Sequence, residues 1–145
     1  MNGMPNFQEL PLNLNDEKII LDGTQELQRV VSKLKPAYAD PITPKILDEI
    51  YPIVKKGTWW NKWKKNYIVH IFGVGLGNCL VSELGFKWIV IQDNLGREIS
   101  VKHKDSNLMS FPFSSVRKRI GTKETDFFRA IFEMFRITLE NKNVG

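Results

Sequence analysis

Hydrophobic positions recur at helical spacing in the first third of the chain. Leu27, Val30, Val31 and Leu34 form one stripe, with Thr24 placed to cap a helix that runs to about Lys35. Pro36 and Pro41 bracket a loop. Thr43-Pro44 then sets a cap hydroxyl before a proline at the first helical position, and Ile46, Leu47, Ile50 and Val54 give that helix its buried face. Pro52 is expected to end this helix early or kink it. Gly57-Thr58 opens a third helical stretch that leads into Tyr67–Leu84. Its segment Tyr67–Ser82 has sixteen residues without a formal charge. A spanning helix needs ~20 apolar residues, and this run contains His70, Asn78 and Ser82, so it reads as a central buried helix. Gly73 and Gly77 fall on one face of it, one turn apart. Glycine weakens a helix by ~1 kcal/mol relative to alanine, so a close neighbour is expected there.

After Gly85 the period changes from helix to strand. Phe86–Gln92 is rich in β-branched and aromatic residues, Asp93-Asn94-Leu95-Gly96 is turn chemistry, and Arg97–His103 alternates again. This predicts a hairpin over 86–103, with a third strand near 107–111 stopped by Pro112. Ser114 or Ser115 is placed to cap a short helix closed by Gly121. Thr125 is placed to cap a last helix carrying Phe127, Phe128, Ile131, Phe132, Phe135 and Leu139. The pattern predicts an α+β fold: four to five helices packed with a three-stranded antiparallel sheet. Residues 1–15, with Pro5, Pro11 and four asparagines, read as an irregular lead-in. Residues 16–140 read as a single domain and 141–145 as a frayed tail.

Composition sharpens this only locally. The chain has 145 residues, 42% hydrophobic and 26% charged. A chain of this length buries roughly 68–70% of its unfolded surface without metal or disulfide staples. A lone cysteine, Cys79, excludes an internal disulfide and favours a reducing, cytoplasmic setting. The N-terminus lacks the basic and apolar regions of a signal peptide. The formal charge is +5, and the segment 55–65 accounts for all of it. It carries Lys55, Lys56, Lys62, Lys64 and Lys65, no acid, and the tryptophans Trp59, Trp60 and Trp63. Lysines among aromatic rings suit phosphates, anionic lipid or an acidic protein surface. The plainer reading is an amphipathic helix, because Trp60, Trp63 and Tyr67 follow Trp59 at helical spacing, with tryptophans in the core and lysines in water.

Catalytic patterns are sparse. The glycines of Gly73–Gly77 match neither the dinucleotide fingerprint nor the P-loop. His70, His103 and Cys79 lack the spacing of a zinc site. Cys79 follows His70 by nine residues, so a helix sets the two on opposite sides. Asp48 and Glu49 are adjacent and point apart. Val116-Arg117-Lys118-Arg119 is a second basic run; its expected role is a solvated face, with one arginine pairing Asp93 or Asp126. Neither a metal nor a cofactor is expected.

From Phe72 to Phe135 the chain resembles a bacterial family known only as domain of unknown function 3806. The resemblance rests on a G-x-x-L-G helix at Gly73–Gly77, then Trp88 and a D-x-x-G-R turn with Asp93, Gly96 and Arg97. Pro112 of a Phe-Pro step, the pair Lys118-Arg119 and Asp126 complete it. It implies a fold and no reaction.

These features together lead to the expectation of a non-enzymatic protein that works by binding. By analogy with other small α+β bacterial proteins, the specific expectation is an immunity-type inhibitor that occludes an acidic surface of a toxin. Trp59, Trp60 and Trp63 would anchor the contact, and Lys62, Lys64 and Lys65 would steer it. The alternative is a nucleic-acid or anionic-membrane module using the same segment, without a transmembrane span.

Overall fold

A computed structural model describes residues 7–56 and 62–144, and the side chains at 62, 63, 143 and 144 lie outside that description. In chain order the elements are β1 (Phe7–Leu10), α1 (Leu14–Leu34), α2 (Pro44–Lys55), α3 (Lys62–Leu84), β2 (Phe86–Asp93), β3 (Gly96–His103), β4 (Met109–Ser110), α4 (Pro112–Arg119) and α5 (Phe128–Val144). The fold is α+β, with a four-stranded antiparallel sheet in the order β1-β2-β3-β4.

The fourth strand is the main departure from expectation. It comes from the stretch read as an irregular lead-in: Phe7–Leu10 pairs with β2 in the register Phe7↔Asp93 to Leu10↔Val90. Residues 11–13 then lead into α1, whose cap lies eleven residues before the Thr24 cap that the sequence indicated. Asn13 caps it. Its side-chain oxygen accepts from Asp16 N (2.8 Å), and the Asp16 carboxylate accepts from Asn13 N (2.9 Å), a reciprocal box that satisfies two amides. Thr24 therefore lies inside the helix, where its hydroxyl donates to Ile20 O (2.8 Å).

In α2 the expected start holds. Thr43 Oγ1 accepts from Ile46 N (3.3 Å), and Pro44 takes the first turn. Pro52 does not stop it: the helix continues through Pro52 to Lys55, at the cost of the hydrogen bond that an amide here would make to the Asp48 carbonyl. α4 begins at Pro112 without a side-chain cap, so neither Ser114 nor Ser115 has the predicted role. Serine 114 instead donates to Glu98 Oε2 (2.5 Å). α5 is capped from a distance. The amides of Phe128 and Arg129 donate to the two Asp48 carboxylate oxygens (2.8 and 3.2 Å), not to Thr125.

α3 is the axis of the molecule. Ile68, Ile71, Phe72, Val74, Leu76 and Leu80 point in different directions around it, and all are fully buried. A helix apolar on every side must be covered on every side, and α1, α2, α4, α5 and the sheet surround it. Its stretch Lys64–Leu84 is long and apolar enough to cross a membrane by length and composition, and 61% of the apolar window is buried inside this fold.

The glycines of α3 set how closely its neighbours approach. A Cβ at Gly77 would lie 2.1 Å from the Trp88 ring. One at Gly73 would lie 2.6 Å from the Phe113 ring and 3.1 Å from the Phe113 Cα. Trp88 also donates from Nε1 to Asn78 Oδ1 (3.1 Å), and Asn78 Nδ2 donates to Thr24 Oγ1 (2.9 Å). One core layer gathers Tyr51, Phe72, Phe127 and Phe128 with the apolar faces of α1 and α2. A smaller one joins Leu80 and Phe135 to Phe86 and Val101 of the sheet.

The close contact of Gly77 is internal to one chain, which makes it a stability determinant. Gly77→Ala should lower the unfolding free energy by about 1–3 kcal/mol through overpacking. Gly121, where an added Cβ meets nothing within 4 Å, serves as the control: Gly121→Ala should be neutral or stabilise by up to about 1 kcal/mol. Urea denaturation followed by circular dichroism measures both.

Candidate functional site

The first residue of one basic run meets the turn that follows a second, distant in sequence. The Lys55 ammonium, at the end of α2, donates to the carbonyl of Thr122, 67 residues away, just beyond α4. Arg117, Lys118 and Arg119 form the last turn of α4, where positive charge is favoured by the helix dipole. Arg117 and Lys118 are exposed, as is Lys56. Arg119 is more constrained: its Nε faces Glu124 Oε2 (3.3 Å), its Nη1 donates to Ser115 O (3.0 Å), and its guanidinium lies 5.3 Å from the Phe127 ring centre. The pairing expected of this run with Asp93 or Asp126 is therefore made with Glu124. A short turn brings Glu124 into reach, whereas Asp93 is committed to the hairpin.

Trp59 and Trp60 lie outside the described residues. Lys62 and Trp63 open α3, and their side chains lie outside the description as well. Lys64 is exposed and Lys65 half-buried in the first turns of α3.

The residues of the family motif are distributed through the framework and do not converge on one point. Gly73 and Gly77 admit Phe113 and Trp88. Asp93 Oδ1 accepts from Leu95 N (2.8 Å), and Gly96, with φ +139°, turns the hairpin. Pro112 is buried at the start of α4. Asp126 is exposed and precedes α5, while Asp48 holds that helix's amides. Arg97 makes two 2.9 Å hydrogen bonds, through Nη1 and Nη2, to the two carboxylate oxygens of Asp16. Asp16 is buried and Arg97 partly exposed. Hydrogen bonding to Arg97 holds the Asp16 carboxyl below the usual aspartate range, against the opposing effect of burial. No sequence pattern marks this pair, which joins residues 81 positions apart.

The nucleophile and base candidates are each engaged structurally. Cys79 is 3% exposed, and burial pushes its thiol up to about 12, so at neutral pH it is protonated and donates to Ile42 O (3.6 Å). His70 Nε2 contacts Ile19 O (2.7 Å). His103 packs edge-on against Phe86 (5.5 Å), and its Nδ1 accepts from Asp105 N (3.3 Å). Burial, with the nearby Asp126, raises Asp48, while its two backbone hydrogen bonds oppose that shift. Among the described residues no group of three His, Cys, Asp or Glu side chains is arranged to hold a metal ion. A surface concavity of about 660 Å³ lies at the hairpin, between Phe7, Ile91, Leu95, Glu98, Met109 and Phe111.

This combination of a helix-wrapped axis, a hairpin-centred sheet and a basic end defines a small α+β module. The sequence profile of the family described as "Domain of unknown function (DUF3806)" matches residues 50–130, which is 81 of the 145 residues. The chain belongs to that family. The match begins upstream of Phe72, where the motif resemblance starts, and so takes in the whole Trp/Lys segment. In fold the chain is similar to a protein from Bacteroides thetaiotaomicron VPI-5482 whose crystal structure was determined at 1.50 Å. The two share a TM-score of 0.63 and 14% identity over 92% of this chain and 49% of that one. The chain thus spans about half the length of that solved relative. No curated protein matches it in sequence.

The buried Asp16–Arg97 pair has a consequence for acid stability. A carboxyl held low in the folded state contributes stability that is fully present above the ordinary aspartate range and is lost as pH falls through the folded value. Asp16→Asn should therefore lower stability at pH 7 and flatten its fall below pH 4. Thermal melts of both proteins between pH 7 and pH 3 measure the difference.

Proposed function

We propose that this chain is a non-enzymatic binding protein, an immunity-type inhibitor whose basic end covers an acidic surface on a partner protein. The observation that carries the reading is the bond from Lys55, where the lysine- and tryptophan-rich segment begins, to Thr122 in the turn after the basic last turn of α4. The basic side chains proposed to meet one partner are Lys56, Lys64 and Lys65 of the first run and Arg117 and Lys118 of the second. Clustered charge of one sign accelerates encounter with the opposite charge and fixes orientation. Trp59, Trp60 and Trp63 supply the aromatic anchors that a tight interface concentrates at its centre. The engagement of Cys79, His70, Asp16 and Asp48 in framework bonds supports binding over turnover.

A stable inhibitor complex buries about 1,600 Å² in total, more than this one segment offers. The face of α4 that carries Arg117 and Lys118 supplies further area.

The test is affinity capture of the tagged protein from lysate of its own source, at low and high salt and after nuclease treatment. One stoichiometric protein surviving both treatments supports the inhibitor reading. Recovery that disappears with nuclease or falls steeply with salt supports nucleic-acid binding in its place, because duplex DNA binding loses about 0.9 log units per phosphate contact for each log unit of salt. With the captured partner in hand, Arg117→Gln combined with Lys118→Gln should slow association by roughly tenfold at low salt and lower the melting temperature by only a few degrees. Stopped-flow or surface-plasmon kinetics read this out.

A further inference from the structure

The hairpin carries a hollow on the sheet face that turns away from α3. Trp88 and Val101 stand opposite each other in the ladder, and Trp88 seats on Gly77 of α3. Side chains alternate along a strand, so the pairs Ile91↔Glu98 and Phe7↔Asp93 fall on the other face. β4 pairs only with Val101 and Lys102, which leaves Gly96–Ser100 of β3 without a strand partner on that side among the described residues. The hollow opens where the sheet narrows in this way. It holds about 660 Å³, with Phe7, Ile91, Leu95, Met109 and Phe111 as its apolar lining. Leu95, at the hairpin tip, is 93% exposed. Apolar side chains gathered around one opening mark a surface that a second molecule covers.

Charge identifies what covers it. The carboxylates of the hollow are Asp93 and Glu98, and each has only uncharged partners. Asp93 Oδ1 accepts from Leu95 N (2.8 Å), and Glu98 Oε2 accepts from the Ser114 hydroxyl (2.5 Å). Neither forms an ion pair among the described residues. Arg97, the cation that lines the hollow, is held by Asp16. In a chain of formal charge +5 this is an apolar surface with a negative rim. A second copy of the chain fits it poorly. In a two-fold dimer a patch meets itself, which would set Asp93 and Glu98 of one copy against those of the other, and like charges brought together repel.

We propose that this hollow receives an extended segment of a partner protein that carries an apolar side chain and, two residues away, a lysine or arginine. Residues two apart in an extended chain point the same way, so one segment sets both side chains toward the sheet. The apolar one packs on Ile91 and Phe111, and the basic one meets Asp93 and Glu98. The ladder bonds of β2 and β3 hold this floor, so binding orders little of the protein itself. The site is separate from the basic end, has the opposite charge, and stands whether or not that end binds a partner.

The experiment is amide-resolved NMR of the full chain, titrated at low salt with the capped tripeptide Phe-Ser-Arg, its counterpart Phe-Ser-Glu, and benzylamine. Phe-Ser-Arg should shift the amides of Ile91, Leu95, Glu98 and Phe111. It should bind roughly fivefold more tightly than Phe-Ser-Glu, the factor that one exposed ion pair supports. Equal binding of the two peptides, or shifts confined to another surface, overturns the proposal, and this comparison needs no variant. Asp93→Asn combined with Glu98→Gln keeps acceptors for Leu95 N and Ser114 while removing both charges, so the preference for arginine should vanish. A folded double variant that keeps the preference overturns the role of the two carboxylates. Benzylamine that binds as tightly as Phe-Ser-Arg overturns the protein segment in favour of a small amine. Shifts of the same amides on raising the protein concentration alone overturn it in favour of a second copy.

Discussion

A helix with apolar side chains around its whole circumference has no face to give to water, and α3 imposes that condition on everything else. Each neighbour must present an apolar surface to it, and the neighbours must be numerous enough to close the circle. Glycines let them come close. Phe113 reaches the backbone at Gly73 and Trp88 at Gly77, so α4 and the sheet seat directly against the axis. Dispersion between well-packed atoms falls off steeply with gap width, which makes this close seating a large share of what holds the layers together. The absence of a polar face on α3 and the presence of its glycines are two aspects of one packing solution.

Polar bonds then fix the covering elements at points where apolar packing leaves them free to slide. Asp16 joins the first turn of α1 to β3 through Arg97. Asp48 reaches from α2 to hold the first amides of α5. Lys55 secures the end of α2 to the turn after α4. Each of these contacts combines a charge with helix-end or loop backbone, or with a second charge, and so each is directional. The third ties the last residue of α2 to the turn that follows the basic end of α4.

The sequence announced what local chemistry decides. The hairpin over 86–103 was legible because its turn residues and its alternation agree, and the start of α2 because Thr43-Pro44 is sufficient by itself. The burial of the central helix followed from its lack of charge. What escaped notice depends on partners far along the chain. Phe7–Leu10 has just two apolar residues, and it becomes a strand because β2 offers it an edge. Thr24 has a cap's side chain but sits inside a helix whose start Asn13 sets. Asp48 caps a helix 80 residues away, and no spacing rule reaches so far. The candidate site divides in the same way. The charge of 55–65 and of 117–119 was visible as composition. The bond from Lys55 to Thr122 was not, because it depends on a lysine finding a distant backbone carbonyl.

The pairing of β1 with β2 also sets an order of events during synthesis. Phe7 finds its partner in Asp93, so the first strand made waits for a template that emerges 86 residues later. At about 5–20 residues per second, that wait lasts roughly 4–17 s, long enough for an unpaired strand to meet another nascent chain. Its composition limits the hazard. Gln8 and Glu9 face water and Pro11 ends the strand, and short polar edges of this kind pair poorly with strangers. The features that hid this strand from a reading of hydrophobic pattern are therefore the ones that keep it soluble until the hairpin arrives.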